Sequence, residues 1–418
     1  MNFTTKAPRH KEDKGGAAKP YRKLDSTATL SRLMTGYYLH SRYIGKVRPL
    51  AWVTSGAPVE ILEAMGIASM YPENYGALCG ARRVATELCQ AAEAEGFSQD
   101  LCSYARTSIG SLYAPEIAPM GGLPHPDLLI ASNNICGTVV KWFQALADHL
   151  GVPLFLLDVP YIHAEQPTQH AVAYVAAQME ELIAWLTEHT GRRMNPARLR
   201  RVADQSNRAV ALWKEIRELC KHRPSPLNAP DLFVTLAPIV VLRGTRWAPW
   251  FYEKLRREAL ARVARGEGAV VNERVRLLWD NIAIWPRLFP VFSQFIKQGA
   301  CFVVDTYTNA WSVSVDSDDL IEGLARTYAT VWINQQIPRR ARAMVQMIRD
   351  FGVDGVVFHS NRSCKPYSLG QYDMRRIILE ETGVPSLILE ADMCDTRAFA
   401  ESQLTTRIQA FMESLSPA

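Results

Sequence analysis

From Leu24 onward, short apolar runs alternate with longer stretches of helical period. Lys46–Val53 predicts a strand leading into Thr54, Ser55 and Gly56. Ala57–Gly66 predicts a helix closed by a glycine cap. Ala68–Tyr71 reads as a short strand, Pro72–Gly76 as a loop and Ala81–Ala94 as a helix. Asp127–Ala131 is a buried-type strand, Gly137–His149 a helix and Pro153–Leu157 the next strand. Strands alternating with helices predict an α/β fold, a parallel sheet with helices on its faces. His170–Thr190, Pro196–His222 and Trp250–Glu267 then keep a helical period with few strand signals. The alternation resumes with strands at Val275–Ile282, Cys301–Asp305, Gly355–Phe358 and Pro385–Leu389. Helices are predicted up to Gly299, over Ile337–Phe351 and Gln371–Glu381, and over Ala398–Leu415.

The pattern divides the chain into a basic tail expected to be disordered (1–22), an N-terminal α/β unit (23–165), a helical connecting region (166–270) and a C-terminal α/β unit (271–418). The two α/β units read as diverged copies. Ser132-Asn133-Asn134-Ile135-Cys136 returns as Ser360-Asn361-Arg362-Ser363-Cys364, 228 positions on. Each copy follows an apolar strand and precedes a helix, then a proline and a strand ending in an acid, Asp158 or Glu390. Trp52 and Trp279 lie 227 positions apart near the start of each unit.

Composition adds limits. The chain has 418 residues, 48% hydrophobic and 21% charged. These are globular values, which exclude a disordered protein, a coiled coil and a collagen-like fibre. No apolar run reaches membrane-spanning length. Net charge is +5, and much of it sits on Lys6, Arg9, Lys11, Lys14 and Lys19, so charge gives no case for nucleic acid. There are eight cysteines and no CxxC pair, against ribbon-type zinc sites and thioredoxin chemistry. A chain this large, expected to carry no signal peptide, needs no disulfides to build a core. A cytoplasmic protein with mostly buried thiols is expected.

Both SNxxC segments place a cysteine where a parallel strand ends and a helix begins. Ligands in open α/β sheets bind there, and a helix N-terminus favours the thiolate. Cys136 and Cys364 approach a shared cleft if the units face one another, and Cys102 is a third candidate. Three distant thiolates suit an iron–sulfur cluster, normally held by four, and a missing fourth ligand leaves one iron open. Three ordinary buried thiols are the plain alternative.

Longer segments carry a family likeness: TSGAPVEILEAMGI (Thr54–Ile67), YPENYGALCG (Tyr71–Gly80), LCSYAR (Leu101–Arg106), SNNICGTVVKWF (Ser132–Phe143), APIVVLRGT (Ala237–Thr245), DTYTNAW (Asp305–Trp311), HSNRSCKPYSLGQYD (His359–Asp373) and LEADMCD (Leu389–Asp395). With these the chain resembles the 2-hydroxyacyl-CoA dehydratase family, which also contains ATP-dependent benzoyl-CoA reductases. The resemblance implies two flavodoxin-like units and a [4Fe–4S] cluster held by Cys102, Cys136 and Cys364, with one iron not ligated by cysteine. It implies Glu73 as general acid/base and Ser55 as a hydrogen-bond partner of the substrate oxygen; first-turn capping is the bland role for each. The implied reaction removes water from a 2-hydroxyacyl-CoA thioester. Its C3 hydrogen is not acidic until one electron makes the carbonyl a ketyl that expels the hydroxyl.

The implied partners are an acyl-CoA substrate, a related second subunit forming a heterodimer, and an ATP-dependent iron–sulfur activator. No GxxxxGK[ST] loop is present, which fits an external ATPase. Rival readings are a subunit of an aromatic acyl-CoA reductase, a double-cubane relative needing further cysteines, and a non-catalytic cluster-bearing or scaffold subunit. Cys79, near the site loop, His359 before SNRSC, Arg362 and Lys365 beside Cys364, and Asp305 and Asn309 are weaker candidates for contact with the site.

Overall fold

A computed structural model describes residues 20–45, 47–315 and 318–415. Eight strands carry the architecture. The first four are β1 (Leu50–Val53), β2 (Ala68–Met70), β3 (Leu128–Ser132) and β4 (Leu154–Leu157). The second four are β5 (Val275–Asp280), β6 (Ala300–Asp305), β7 (Gly355–Asn361) and β8 (Ser386–Ala391). They form two parallel four-stranded sheets, in the orders β2-β1-β3-β4 and β6-β5-β7-β8. Both follow the flavodoxin-like order. The central strands are continuous apolar runs because helices cover both faces; β1 and β3 are buried along their whole length.

The repeat extends to register. Trp52 lies opposite Leu129, and Trp279 lies opposite Val357 at the matching rung. The Asp127 carboxylate accepts the Leu50 N–H at 2.7 Å while its own N–H donates to Leu50 O at 2.8 Å. Asp354 makes the same pair of bonds with Arg276, both at 2.7 Å. Neither aspartate was picked out by its surroundings in the sequence.

Between β4 and β5 the described chain runs through helices Gln169–Thr190, Pro196–Glu218, Ala229–Thr235, Ala237–Val241 and Trp247–Ala264. Thr168 and Asn195 cap the first two through their side chains, and Asn228 and Asp231 form a capping box on the third. Trp213 and Tyr252 pack at 5.1 Å between ring centres inside this layer.

Several elements differ from expectation. Pro72–Gly76 is not a loop but opens a helix, Pro72–Ala81. Proline at the first helical position and an acid in the first turn are helix-start signals. The long helix expected over Ala81–Ala94 begins only at Ala85, after a break in which Arg83 takes φ +63°. Helices Ser26–Ile44, Ser103–Tyr113 and Leu320–Ala329 had no counterpart in the periodicity reading. Of the expected tail, residues 1–19 lie outside the described residues. Tyr21 and Arg22 are tied down: Tyr21 bridges Val270, its hydroxyl bonds Asp231, and Arg22 N donates to Ala269 O at 2.9 Å.

Candidate functional site

Cys102, Cys136 and Cys364 each occupy the residue before a helical segment, respectively Ser103–Tyr113, Gly137–Leu150 and Lys365–Ser368. β3 and β7 deliver the second and third of these through matching turns. Backbone amides of Tyr104 and Ala105 face the Cys102 sulfur, those of Thr138 and Val139 face Cys136, and that of Tyr367 faces Cys364. Two bonds tie the first turn to the third: Ser103 N donates to Ser363 Oγ at 3.1 Å, and the two hydroxyls meet at 3.3 Å.

The three thiols feel one another. Burial pushes the Cys102 thiol up, and Cys136 and Cys364 push it further. Burial likewise carries Cys364 up to about 12, with Cys136 adding to it and Arg340 opposing. At Cys136 burial dominates, the Val139 amide opposes it and the Glu73 carboxylate adds to it. These are protonated thiols when alone, surrounded by donors that favour a thiolate once a cation replaces the proton.

These three are the only cysteines that keep some solvent access; Cys79, Cys89, Cys220, Cys301 and Cys394 are buried. Among the described residues, no three His, Cys, Asp or Glu side chains converge tightly enough to hold a metal ion.

The structure also holds a cavity of about 530 Å³, whose wall does not include the three cysteines themselves. Tyr104, Ile135 and Tyr367, close neighbours of the three cysteines in sequence, form part of its wall, as do Ser55 and Glu73. Ser55 caps no helix: the first helix after it begins at Val59, behind Pro58. Instead its N–H and its hydroxyl both donate to Glu73 Oε2, at 2.5 and 2.6 Å. Glu73 sits in the first turn of Pro72–Ala81. Burial raises its pKa, and the two Ser55 bonds pull against that rise. Gly56, beside Ser55, has to be glycine because an added Cβ would lie 1.9 Å from Asn134 Oδ1. Asn134 in turn donates to Gly56 O at 3.1 Å and Tyr328 O at 2.9 Å, fixing the Cys136 turn from both sides.

Other wall residues had no assigned role in the sequence. Arg243 Nε bonds Glu60 Oε1 at 2.6 Å, and the Tyr328 hydroxyl donates to Glu60 Oε2 at 2.7 Å. Burial pushes Glu60 up, but Arg243 and Tyr328 overcome it and hold the carboxyl below its ordinary value. Trp285 Nε1 donates to Tyr104 OH at 2.6 Å, joining the two α/β units across the cavity. Glu60, Tyr104 and Arg243 lie inside the family-like segments, which was the available signal.

His359 is fully buried, its Nδ1 against Ile282 O at 2.6 Å, and burial lowers its pKa to about 4. Arg362 is exposed and pairs with Glu390, while Lys365 donates to Arg362 O, so the cation acting on Cys364 is Arg340. Asp305 caps the Thr306–Asn309 turn, and Asn309 accepts from Arg217. Cys79 is wholly buried and forms no part of the cavity wall.

Comparison with known proteins gives a consistent answer. The family model described as 2-hydroxyglutaryl-CoA dehydratase, D-component, matches residues 54–415. Lactoyl-CoA dehydratase subunit alpha of Anaerotignum propionicum is 33% identical, over 88% of this chain and 90% of its own. The (R)-2-hydroxyisocaproyl-CoA dehydratase alpha subunit of Clostridioides difficile is 34% identical over the same shares. One of the chains of the benzoyl-CoA reductase of Thauera aromatica is 27% identical over 85% of each sequence.

Proposed function

The chain belongs to the 2-hydroxyglutaryl-CoA dehydratase D-component family, and from that premise we propose that it is the alpha-type subunit of an (R)-2-hydroxyacyl-CoA dehydratase, a hydro-lyase that converts the thioester to an enoyl-CoA. The observation that carries the reading is the trio Cys102, Cys136 and Cys364: three thiols from three segments, each met by backbone amides, and alone among the cysteines in keeping access to solvent. Three cysteine thiolates suit the periphery of a multi-iron body. In this reading the three cysteines hold a [4Fe–4S] cluster. When bound, that group supplies a single low-potential electron and an iron open to an oxygen ligand.

The chain's own residues supply the proton chemistry. The C3 hydrogen of the substrate lies β to the carbonyl, so a carboxylate alone does not remove it; once the 2-hydroxyl has departed, Glu73 is the base in reach of the cavity. Its raised pKa favours holding the proton, and the two Ser55 donors orient it. Protonation of Glu73 weakens its hold on the Ser55 hydroxyl, which then has a hydrogen bond to offer a substrate oxygen. The apolar wall keeps water from competing for the charge that develops. A second, related subunit and an ATP-hydrolysing iron–sulfur activator complete the proposed system.

Anaerobic purification followed by iron and sulfide analysis tests the carrying observation. We expect about four irons per chain, lost in Cys102→Ser, Cys136→Ser and Cys364→Ser and kept in Cys220→Ser. No iron after reconstitution sinks the cluster reading. Catalytic ATP use supports the dehydratase; ATP consumed in every turnover identifies the ring-reducing rival suggested by the Thauera aromatica relative.

A further inference from the structure

The cavity is walled by large apolar side chains, among them Phe233, Val240, Trp285, Phe289, Trp311 and Trp332. Its volume of about 530 Å³ lies within the range of small-molecule pockets and far exceeds the needs of a one-methyl side chain. Two cations touch it, Arg83 and Arg243. Arg83 is exposed to solvent. Arg243 is buried, but its charge is already spent: Nε bonds Glu60 at 2.6 Å and Nη2 bonds Val313 O at 3.1 Å. The other oxygen of Glu60 is taken by Tyr328, so the pair is neutral as a whole. Besides the exposed Arg83, the remaining titratable group on the described wall with a carboxyl is Glu73. A ligand carboxylate buried in this cavity would lose its water and meet no unpaired buried cation among the described residues, which disfavours it.

We infer that the cavity takes a bulky, uncharged acyl chain, branched-aliphatic or aromatic, and rejects one that ends in a carboxylate. The inference rests on the dehydratase reading and names its substrate class. The Glu60–Arg243 pair is the specificity element: it removes the one buried cation that would otherwise recruit an acid.

Binding separates this from activity. The full chain, purified anaerobically with any subunit that accompanies it, is titrated calorimetrically with acyl-CoAs lacking the 2-hydroxyl. These are 4-methylpentanoyl-CoA, 3-phenylpropanoyl-CoA, propanoyl-CoA and glutaryl-CoA, with free CoA as control. At least one of the first two should bind about 100-fold more tightly than glutaryl-CoA and about 10-fold more tightly than propanoyl-CoA. Glu60→Gln should narrow the gap to glutaryl-CoA by freeing Arg243, and an unchanged gap in a folded variant overturns the role given to the pair. Glutaryl-CoA binding as tightly as the apolar thioesters overturns the inference while leaving the dehydratase reading standing. No acyl-CoA binding beyond that of free CoA removes both.

Discussion

Ser55 commits both of its donors to one oxygen of Glu73, and this pairing makes opposite demands on the two charge states. Hydrogen bonds to a carboxylate favour the charged form, so removing the hydroxyl raises the Glu73 pKa beyond the rise that burial already imposes. If Glu73 must be ionised to take a proton, Ser55→Ala moves the acidic limb of the pH–rate profile to higher pH; a limb that stays in place or moves down argues against Glu73 as the base. Glu73→Gln should keep its iron and lose about 100- to 10,000-fold in kcat. His359 sets a different pH dependence. It is neutral in the fold with a pKa of about 4, whereas an unfolded histidine protonates near 6.5. The unfolded chain therefore binds the extra proton first, and stability falls as pH drops from about 6.5 towards 4. Denaturation midpoints measured across that window should slope less in His359→Gln than in the parent. Of these residues, Ser55 and Glu73 were legible through family-like segments. The Glu60–Arg243 pair was not, because its partners lie 183 positions apart and only the fold brings them together.

At the level of elements, the close approach of two helices positions Cys102. In helix Ser103–Tyr113, the stretch Ser103–Ser111 is buried throughout, although it is rich in serine, threonine and glycine, which are poor helix formers. Burial overrides propensity there, and for that reason no helical period announced it. Gly110 lies so near helix Ala85–Ala94 that a Cβ would stand 1.8 Å from Leu88 O. Gly110→Ala must push the helices apart and should cost about 1–3 kcal/mol in urea denaturation. It should also reduce iron retention by shifting the Cys102 turn, while a variant as stable as the parent would show that the two helices separate freely. Elements with a strong period were readable: Ile337–Phe351 forms as expected and the strands fall within a few residues. Pro72–Ala81 was misread because its glycines and asparagine look like a turn; its proline and acid mark a helix start instead.

Across the whole molecule, the duplicated units are joined by charge as well as by the cavity. Arg106 is buried and bonds Glu93 at 2.6 Å and Asp395 at 2.9 Å, while Arg397 reaches both acids from the other side. Arg106 also donates through Nε to Leu101 O at 3.0 Å, bracing the residue before Cys102. Arg106→Met leaves the two acids to Arg397 alone and removes the brace on Leu101; it should cost about 1–3 kcal/mol, read as a lower thermal midpoint. The repeat itself was legible from SNxxC and its flanks because strand–turn–helix context survives divergence, and matched sheet orders bear it out. How the halves meet was not, since such contacts leave no local pattern.

Cys102, Cys136 and Cys364 are also ordered in time. A ribosome makes the chain from its N-terminus, and the third thiol emerges only once β7 has been built. No nascent or clipped chain that ends before residue 364 carries the full trio, whatever it folds into. Under the proposed function, iron per chain in an anaerobic preparation is thus also a tally of molecules whose chain reached residue 364 and closed around all three thiols.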